Sequence, residues 1–258
     1  MKIDLHRLKF TLAVLTVSSL NLFAMPAMAA PEEIQVYLDE FAELGKFGLD
    51  LHTTYVASTR NGYGGLPQHQ LRLTPELSYG LTKNIETAAY FLTNKAPSYP
   101  IQSDGVKIRF RYRPVVPTDE TTWYTAVNIE LGKLSRRFNS DYSNGEIKAI
   151  LSWRSGPWVV GTNINLDRAL RRSSALPATF EIDSKIMHAV TKQFSIGLER
   201  YDFLGSLHGS VSGPGPSHTT FLSTDFSAGK WDVNFGVGRA KGDIVEKTIV
   251  KAIVGIPI

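Results

Sequence analysis

Four cations stand at every second position of one short run: Lys107, Arg109, Arg111 and Arg113, with Val106, Ile108, Phe110 and Tyr112 between them. On a β-strand successive side chains point to opposite faces, so the run presents one apolar face and one wholly basic face. On a helix the same residues would scatter charge all round and leave no apolar stripe. As a strand, its charged groups lie roughly 6.5 Å apart, inside a Debye length of about 8 Å, and act as one positive strip. Such a strip attracts anions, as rings of Lys and Arg do in anion pores, or it locks with carboxylates into an ion-pair network. The candidate counter-charges are Glu86, expected beside Arg111 and Arg113, and Glu130, expected beside Lys107 and Arg109; Arg72, Glu76 and Lys148 are further inward-facing candidates. If Glu86 and Glu130 engage only the ends of the row, its middle stays positive.

Other chemistry finds little footing. His52, His69, His188, His208 and His218 are scattered without metal-ligand spacing. The chain has no Cys, hence no thiolate metal site and no disulfide framework. There is no Gly-x-Ser-x-Gly motif, and Gly213-Pro214-Gly215-Pro216 is turn chemistry. No catalytic set, metal or cofactor is therefore expected. A lipid-modifying enzyme would need a Ser–His pair at a lipid face, for which Ser184 and His188 are the candidates. Lys and Arg outnumber Asp and Glu by 28 to 24, but Lys2, Arg7 and Lys9 belong to an N-terminal leader. The remainder is close to neutral, so nucleic acid is not an expected partner.

That leader is a basic n-region, an apolar run from Phe10 to Ala24 and small residues at Ala27-Met28-Ala29. It is read as a secretory signal peptide over 1–29, cleaved after Ala29. The acidic stretch 30–45, with Glu32, Glu33, Asp39, Glu40 and Glu43, is expected as a periplasmic segment outside the main sheet. From 46 to 258 strand-like segments recur, at 46–58, 70–81, 85–93, 104–113, 122–132, 145–154, 157–167, 178–191, 194–204, 219–227, 231–239 and 247–258. Longer connections follow the odd segments and shorter turns follow the even ones, the proline-bearing 114–121 being the least tidy. Trp123, Trp153, Trp158 and Trp231 all fall beside short turns on the apolar face, where an aromatic belt at a bilayer rim would lie. After the leader no apolar run approaches the 18 residues of a membrane helix, so a membrane location requires a closed barrel.

These observations predict an all-β fold: a transmembrane antiparallel up-and-down β-barrel of about twelve strands in the outer membrane of a Gram-negative bacterium. The alternative fold is a soluble periplasmic barrel. Twelve strands lie between the eight that side chains can fill and the sixteen that leave an aqueous channel, so lumen width does not follow from the count. The expected work is passive or facilitated passage of small solutes through a narrow charge-lined lumen; a lipid-modifying barrel and a structural or adhesion barrel are the alternatives. Arg136, Arg137, Arg168, Arg171 and Arg172 in neighbouring outer loops are candidate contacts for lipopolysaccharide phosphates, since the guanidinium fork suits phosphate. Outer-membrane lipid and the outer-membrane assembly machinery are the other expected partners.

The layout, with Leu71-Arg72-Leu73-Thr74-Pro75-Glu76-Leu77-Ser78-Tyr79-Gly80-Leu81 and Val127-Asn128-Ile129-Glu130-Leu131-Gly132, resembles the outer-membrane barrels grouped as phenol-degradation-pathway (MetA-type) transporter-like proteins. The resemblance covers most of the chain after the leader and implies architecture more than substrate. One departure is the ending Ile256-Pro257-Ile258, where outer-membrane barrels usually carry an aromatic residue that aids assembly.

Overall fold

The computed structural model describes residues 33–60, 69–135, 142–170, 178–207, 215–244, 246–256 and 258. Twelve strands follow one another: β1 (Phe47–Thr59), β2 (Gln70–Gly80), β3 (Ile85–Lys95), β4 (Gln102–Tyr112), β5 (Trp123–Leu134), β6 (Ser143–Ser155), β7 (Trp158–Ala169), β8 (Thr179–Ala189), β9 (Phe194–Ser206), β10 (Ser217–Ala228), β11 (Trp231–Gly242) and β12 (Glu246–Ile256). Each pairs antiparallel with its sequence neighbours, and β12 pairs with β1, which closes the sheet and leaves no edge strand. The all-β barrel read from the alternation is therefore the observed fold. The strands run further toward the long loops than expected, as at Asn94–Lys95 and Ala240–Gly242. Backbone pairing satisfies N–H and C=O groups whatever the side chains are, so the ladder continues past the apolar band.

Alternation decides which face is which. On β5, Tyr124, Ala126, Asn128 and Glu130 are buried while Trp123, Val127, Ile129 and Leu131 are exposed. β4 does the same with Lys107, Arg109 and Arg111 inside and Val106, Ile108 and Phe110 outside. The exterior thus carries the large apolar side chains and the interior carries the charges, the inverse of a water-soluble protein and the pattern of a lipid-embedded barrel. Tight turns mark the short-turn rim: Gly156 and Gly229 sit at φ 54° and 67°, conformations that glycine adopts without steric cost.

One expectation is overturned. The described part of the 30–45 segment does not hang outside the barrel. From Phe47 the chain doubles back past Gly80, where Leu44 forms a bridge and the Gly45 N–H donates to the Gly80 carbonyl at 2.8 Å. It then threads the lumen, with Val36, Tyr37 and Leu38 at 2–4% exposure. The reason is physical: an otherwise polar segment offers backbone and carboxylate partners to a lumen lined with charged and polar side chains, and its apolar run Val36-Tyr37-Leu38 packs on the Gly161 wall of β7.

Candidate functional site

The basic row of β4 faces the lumen. Register places Glu86 of β3 opposite Arg111 and Glu130 of β5 opposite Arg109. Side-chain reach then sets the pairing. Glu86 Oε1 accepts from both Arg109 and Arg111 at 2.6 Å. Glu76 of β2 accepts from Arg109 at 2.7 Å and pairs through its other oxygen with His52 Nε2 at 2.9 Å. Lys107 lies 4.0 Å from Glu130. The middle member, Arg109, is thus the most heavily engaged, and the expectation of a free positive strip at the centre of the row is corrected. Charged side chains in a lumen reach second-neighbour strands as well as adjacent ones, so pairing is not confined to register partners. Arg113 is also displaced from its expected place: it lies beyond β4 at the short-turn mouth, where its Nε donates to the Lys83 carbonyl at 2.9 Å and its guanidinium sits 3.9 Å from the Phe41 ring.

The opposite wall carries a second network. Lys251 of β12 donates to Glu199 of β9, and Lys185 of β8 lies 3.6 Å from Glu199 and 2.9 Å from Asp225 of β10. Toward the long loops, Lys148 pairs with Glu146 at 3.1 Å, and Asn165 Nδ2 donates to Asp183 at 2.6 Å. Arg72 of β2 pairs with Glu246 of β12. Of the expected lumen-lining residues, Arg72, Glu76, Glu86, Lys107, Arg109, Arg111, Glu130 and Lys148 are all buried in the barrel interior.

Tyr37 holds the threading segment at the centre. Its N–H donates to Asn163 Oδ1 at 2.7 Å and its carbonyl accepts from Asn163 Nδ2 at 2.9 Å. The carboxamide thereby stands in for the peptide edge of a neighbouring strand. The Tyr37 hydroxyl accepts from Arg109 at 2.7 Å and lies 2.9 Å from the Tyr90 hydroxyl. Arg109, Arg111 and Lys148 surround its ring at 5.1, 5.1 and 4.7 Å from the centroid, within cation–π reach. Burial pushes the hydroxyl well above its usual range, so it stays a neutral phenol. Further ties are the Ala42 N–H to Glu86, Lys251 to the Ile34 carbonyl at 2.9 Å and Arg154 to Asp39 at 2.7 Å. Burial works against charge on Glu33, yet Lys148, His52, Lys107 and Arg109 hold its carboxyl down to about 2. At Glu40 burial prevails over Lys185 and pushes the carboxyl up.

The segment divides the lumen. A cavity of about 560 Å³ opens on the short-turn side, lined by Glu40, Asp50, Lys185, Glu199 and Asp225 among others. A smaller one of about 90 Å³ lies toward the long loops beside Glu33, Glu130, Lys148, Asp183 and Phe221. Gln35 lines both.

Outside, Trp123, Trp153, Trp158 and Trp231 all stand on the outward face at the short-turn rim, with Trp123 opposite Trp153 in register. Arg168 is exposed at the loop end of β7; Arg136, Arg137, Arg171 and Arg172 lie outside the described residues. Ser184 and His188 do not form a pair. They are four residues apart on one strand, about 13 Å, and His188 instead packs edge-on against Trp158 at 4.5 Å between ring centroids. Among the described residues no group of three or more His, Asp or Glu is placed to hold a metal ion. Sequence reasoning missed Tyr37, Tyr90 and Asn163 as the seat of the segment. The one available signal was Val36-Tyr37-Leu38, an apolar run too short to form a strand of its own in the barrel.

A closed antiparallel barrel with an apolar exterior and a charged interior is an outer-membrane type of β-barrel. No family model matches the chain, and no curated protein matches it in sequence. Among solved structures it is similar to the COG4313 outer membrane channel from Pseudomonas putida F1, at 12% identity over 86% of this chain and 99% of that one with a TM-score of 0.59. It is also similar to the KdgM porin, at 12% identity over 82% and 99% with a TM-score of 0.55, and to the NanC porin, at 10% over 81% and 100% with a TM-score of 0.54. At such identities the likeness is one of fold.

Proposed function

We propose that this protein is a porin-like channel of the outer membrane that passes small solutes without catalysis, and that its own segment 33–46 closes it. The observation that carries the reading is the segment itself, crossing a charge-lined shaft on polar contacts that can be remade by water. The apolar exterior, the rim of Trp residues, the resemblance to phenol-degradation-pathway transporter-like barrels and the channel and porin names of the similar structures support it. The narrow, charged lumen favours small solutes. Planar-bilayer recordings of the full protein and of a variant lacking residues 33–42 test the proposal. The full protein should show brief, small openings, and the deletion should give sustained, larger ones. Equal conductance would remove the gating role, and an absence of conductance from both would remove the channel.

A further inference from the structure

The outward face is not uniformly apolar. On β3, β5 and β7 the outward cations Lys95, Lys133 and Arg168 appear only at the last outward position before the loop. On β9 charge enters after three apolar outward residues, Phe194, Ile196 and Leu198, with Arg200 and then Asp202. Register carries this across the wall. Arg200 is flanked by Ser184 of β8 and Thr220 of β10. Thr220 is opposite Arg239 of β11, Arg239 is opposite Thr248 of β12, and Thr248 is opposite Ser58 of β1. The result is an unbroken polar row over six adjacent strands. One outward step toward the short turns, the row reads Ile186, Leu198, Leu222, Val237, Val250 and Tyr55. One step toward the loops come Asp202, His218 and Lys241. Lys247 lies close enough to Arg60, Asp243 and Arg239 to feel all three charges.

From this row we infer a binding site for the phosphorylated headgroup of an outer-leaflet glycolipid on the β9–β12 wall. The inference rests on the proposed membrane location. Asp202 is the carboxylate within the patch, and both its oxygens accept from Arg200 Nε, at 3.0 and 2.7 Å; Arg239, Lys241 and Lys247 add three further cations, so positive charge prevails. Arg60 and Asp243 beside it pair with each other at 3.5 Å. Arg200 and Arg239 stand two strands apart, about 10 Å, with the Thr220 hydroxyl between them. Arg239 donates to Thr248 at 2.9 Å, and Ser58 donates to the same hydroxyl at 2.9 Å. These contacts fix the guanidinium against the wall, a preorganised fork for phosphate oxygens. A guanidinium facing bare hydrocarbon is costly, and a phosphate at that depth offsets the cost. Acyl chains would then lie against the apolar row immediately below.

Native mass spectrometry of the full protein in detergent tests the site with lipid A as the probe. The wild type should retain bis-phosphorylated lipid A about tenfold or more better than phosphatase-treated lipid A, the ratio expected for one strong charge-assisted contact. R239Q/K241Q and, separately, R200Q should abolish that preference, whereas K95Q/K133Q should keep it. Heat-modifiable gel mobility confirms that each variant is folded. Excess inorganic phosphate should displace little of the lipid; full displacement would mean a phosphate site rather than a lipid site and overturn the proposal. So would equal retention of the two lipids, or a preference untouched by R239Q/K241Q. A chain that stays dispersed without detergent would instead refute the membrane reading, so the two failures are distinguishable.

Discussion

Replacing Asn163 by Ala should unseat the segment while sparing the barrel. Asn163 is fully buried and spends both ends of its carboxamide on Tyr37, at 2.7 and 2.9 Å. Each bond contributes about 0.5–1.5 kcal/mol net, and a backbone group left buried without a partner costs about 1–3 kcal/mol. With water relieving part of that cost, the docked state should lose about 2–4 kcal/mol, a shift of roughly 30- to 900-fold in the ratio of withdrawn to docked. If the wild type opens about one part in a thousand, the variant would be open between roughly 3% and half of the time. Single-channel open probability reads this directly, and the gel mobility of the heated and unheated barrel reports on the wall. The β7 ladder uses the backbone of Asn163, not its side chain, so the wall should keep its stability. An unchanged open probability in a folded variant would refute the clamp. An equal loss of barrel stability would assign Asn163 to the wall instead.

Gly80→Ala should have a similar effect from the other end, because a Cβ there would meet the Glu43 and Ala42 backbone where the segment turns inward; raised conductance with an intact barrel is the expected readout. Arg placed at outward Phe110 should cost about 2–4 kcal/mol in denaturant unfolding from lipid vesicles if that position lies near the midplane, and Arg at inward Ser78 much less; equal losses would undo the inside–outside assignment. The depressed Glu33 carboxyl stabilises docking above its ordinary value of 4.5, and that contribution is lost as pH falls toward about 2. The raised Glu40 carboxyl has the opposite sign, its contribution being present at low pH and lost as pH rises through its shifted value, so Glu40→Gln should lower open probability at neutral pH and Glu33→Gln should raise it. Among the described residues of the barrel wall the buried Asp and Glu outnumber the buried Lys and Arg by nine to seven, so reversal potentials of the deletion variant in a salt gradient should show a mild cation preference; an anion preference would restore the positive-strip reading.

The barrel was legible because its rule is local. Period-two alternation and turn residues place each strand without knowledge of its partners, and a closed ladder then follows from strand order. The lumen was only half legible. Parity identified the inward charges, but pairing was argued from register neighbours, and that logic fails where long side chains converge. Glu76 to Arg109 runs from β2 to β4, Lys251 to Glu199 from β12 to β9 and Lys185 to Asp225 from β8 to β10, none of them adjacent. The place of segment 33–46 was barely legible, with Val36-Tyr37-Leu38 as the one hint. Its acidic composition reads as solvated, because the cations that receive it belong to strands remote in sequence.

That remoteness is also what makes a removable closure physically reasonable. Arg109 loses Tyr37 when the segment leaves, but it keeps Glu76 and Glu86, and Arg111 keeps Glu86. Lys251 loses the Ile34 carbonyl but keeps Glu199, and Lys185 keeps Glu199 and Asp225. Each principal cation of the wall is therefore answered by the wall itself, so withdrawal does not strand a buried charge, the event that would cost about 3–5 kcal/mol apiece. Besides the Glu33 and Asp39 carboxylates, what the segment adds is neutral: the Tyr37 phenol and backbone donors and acceptors, groups that water can replace. Against these stands the entropy of ordering the segment, about 1–2 kcal/mol per residue. These opposing terms set the balance between the docked and the withdrawn segment. A wall whose cations are answered by its own carboxylates is the condition under which the proposed closure could leave without unfolding the barrel.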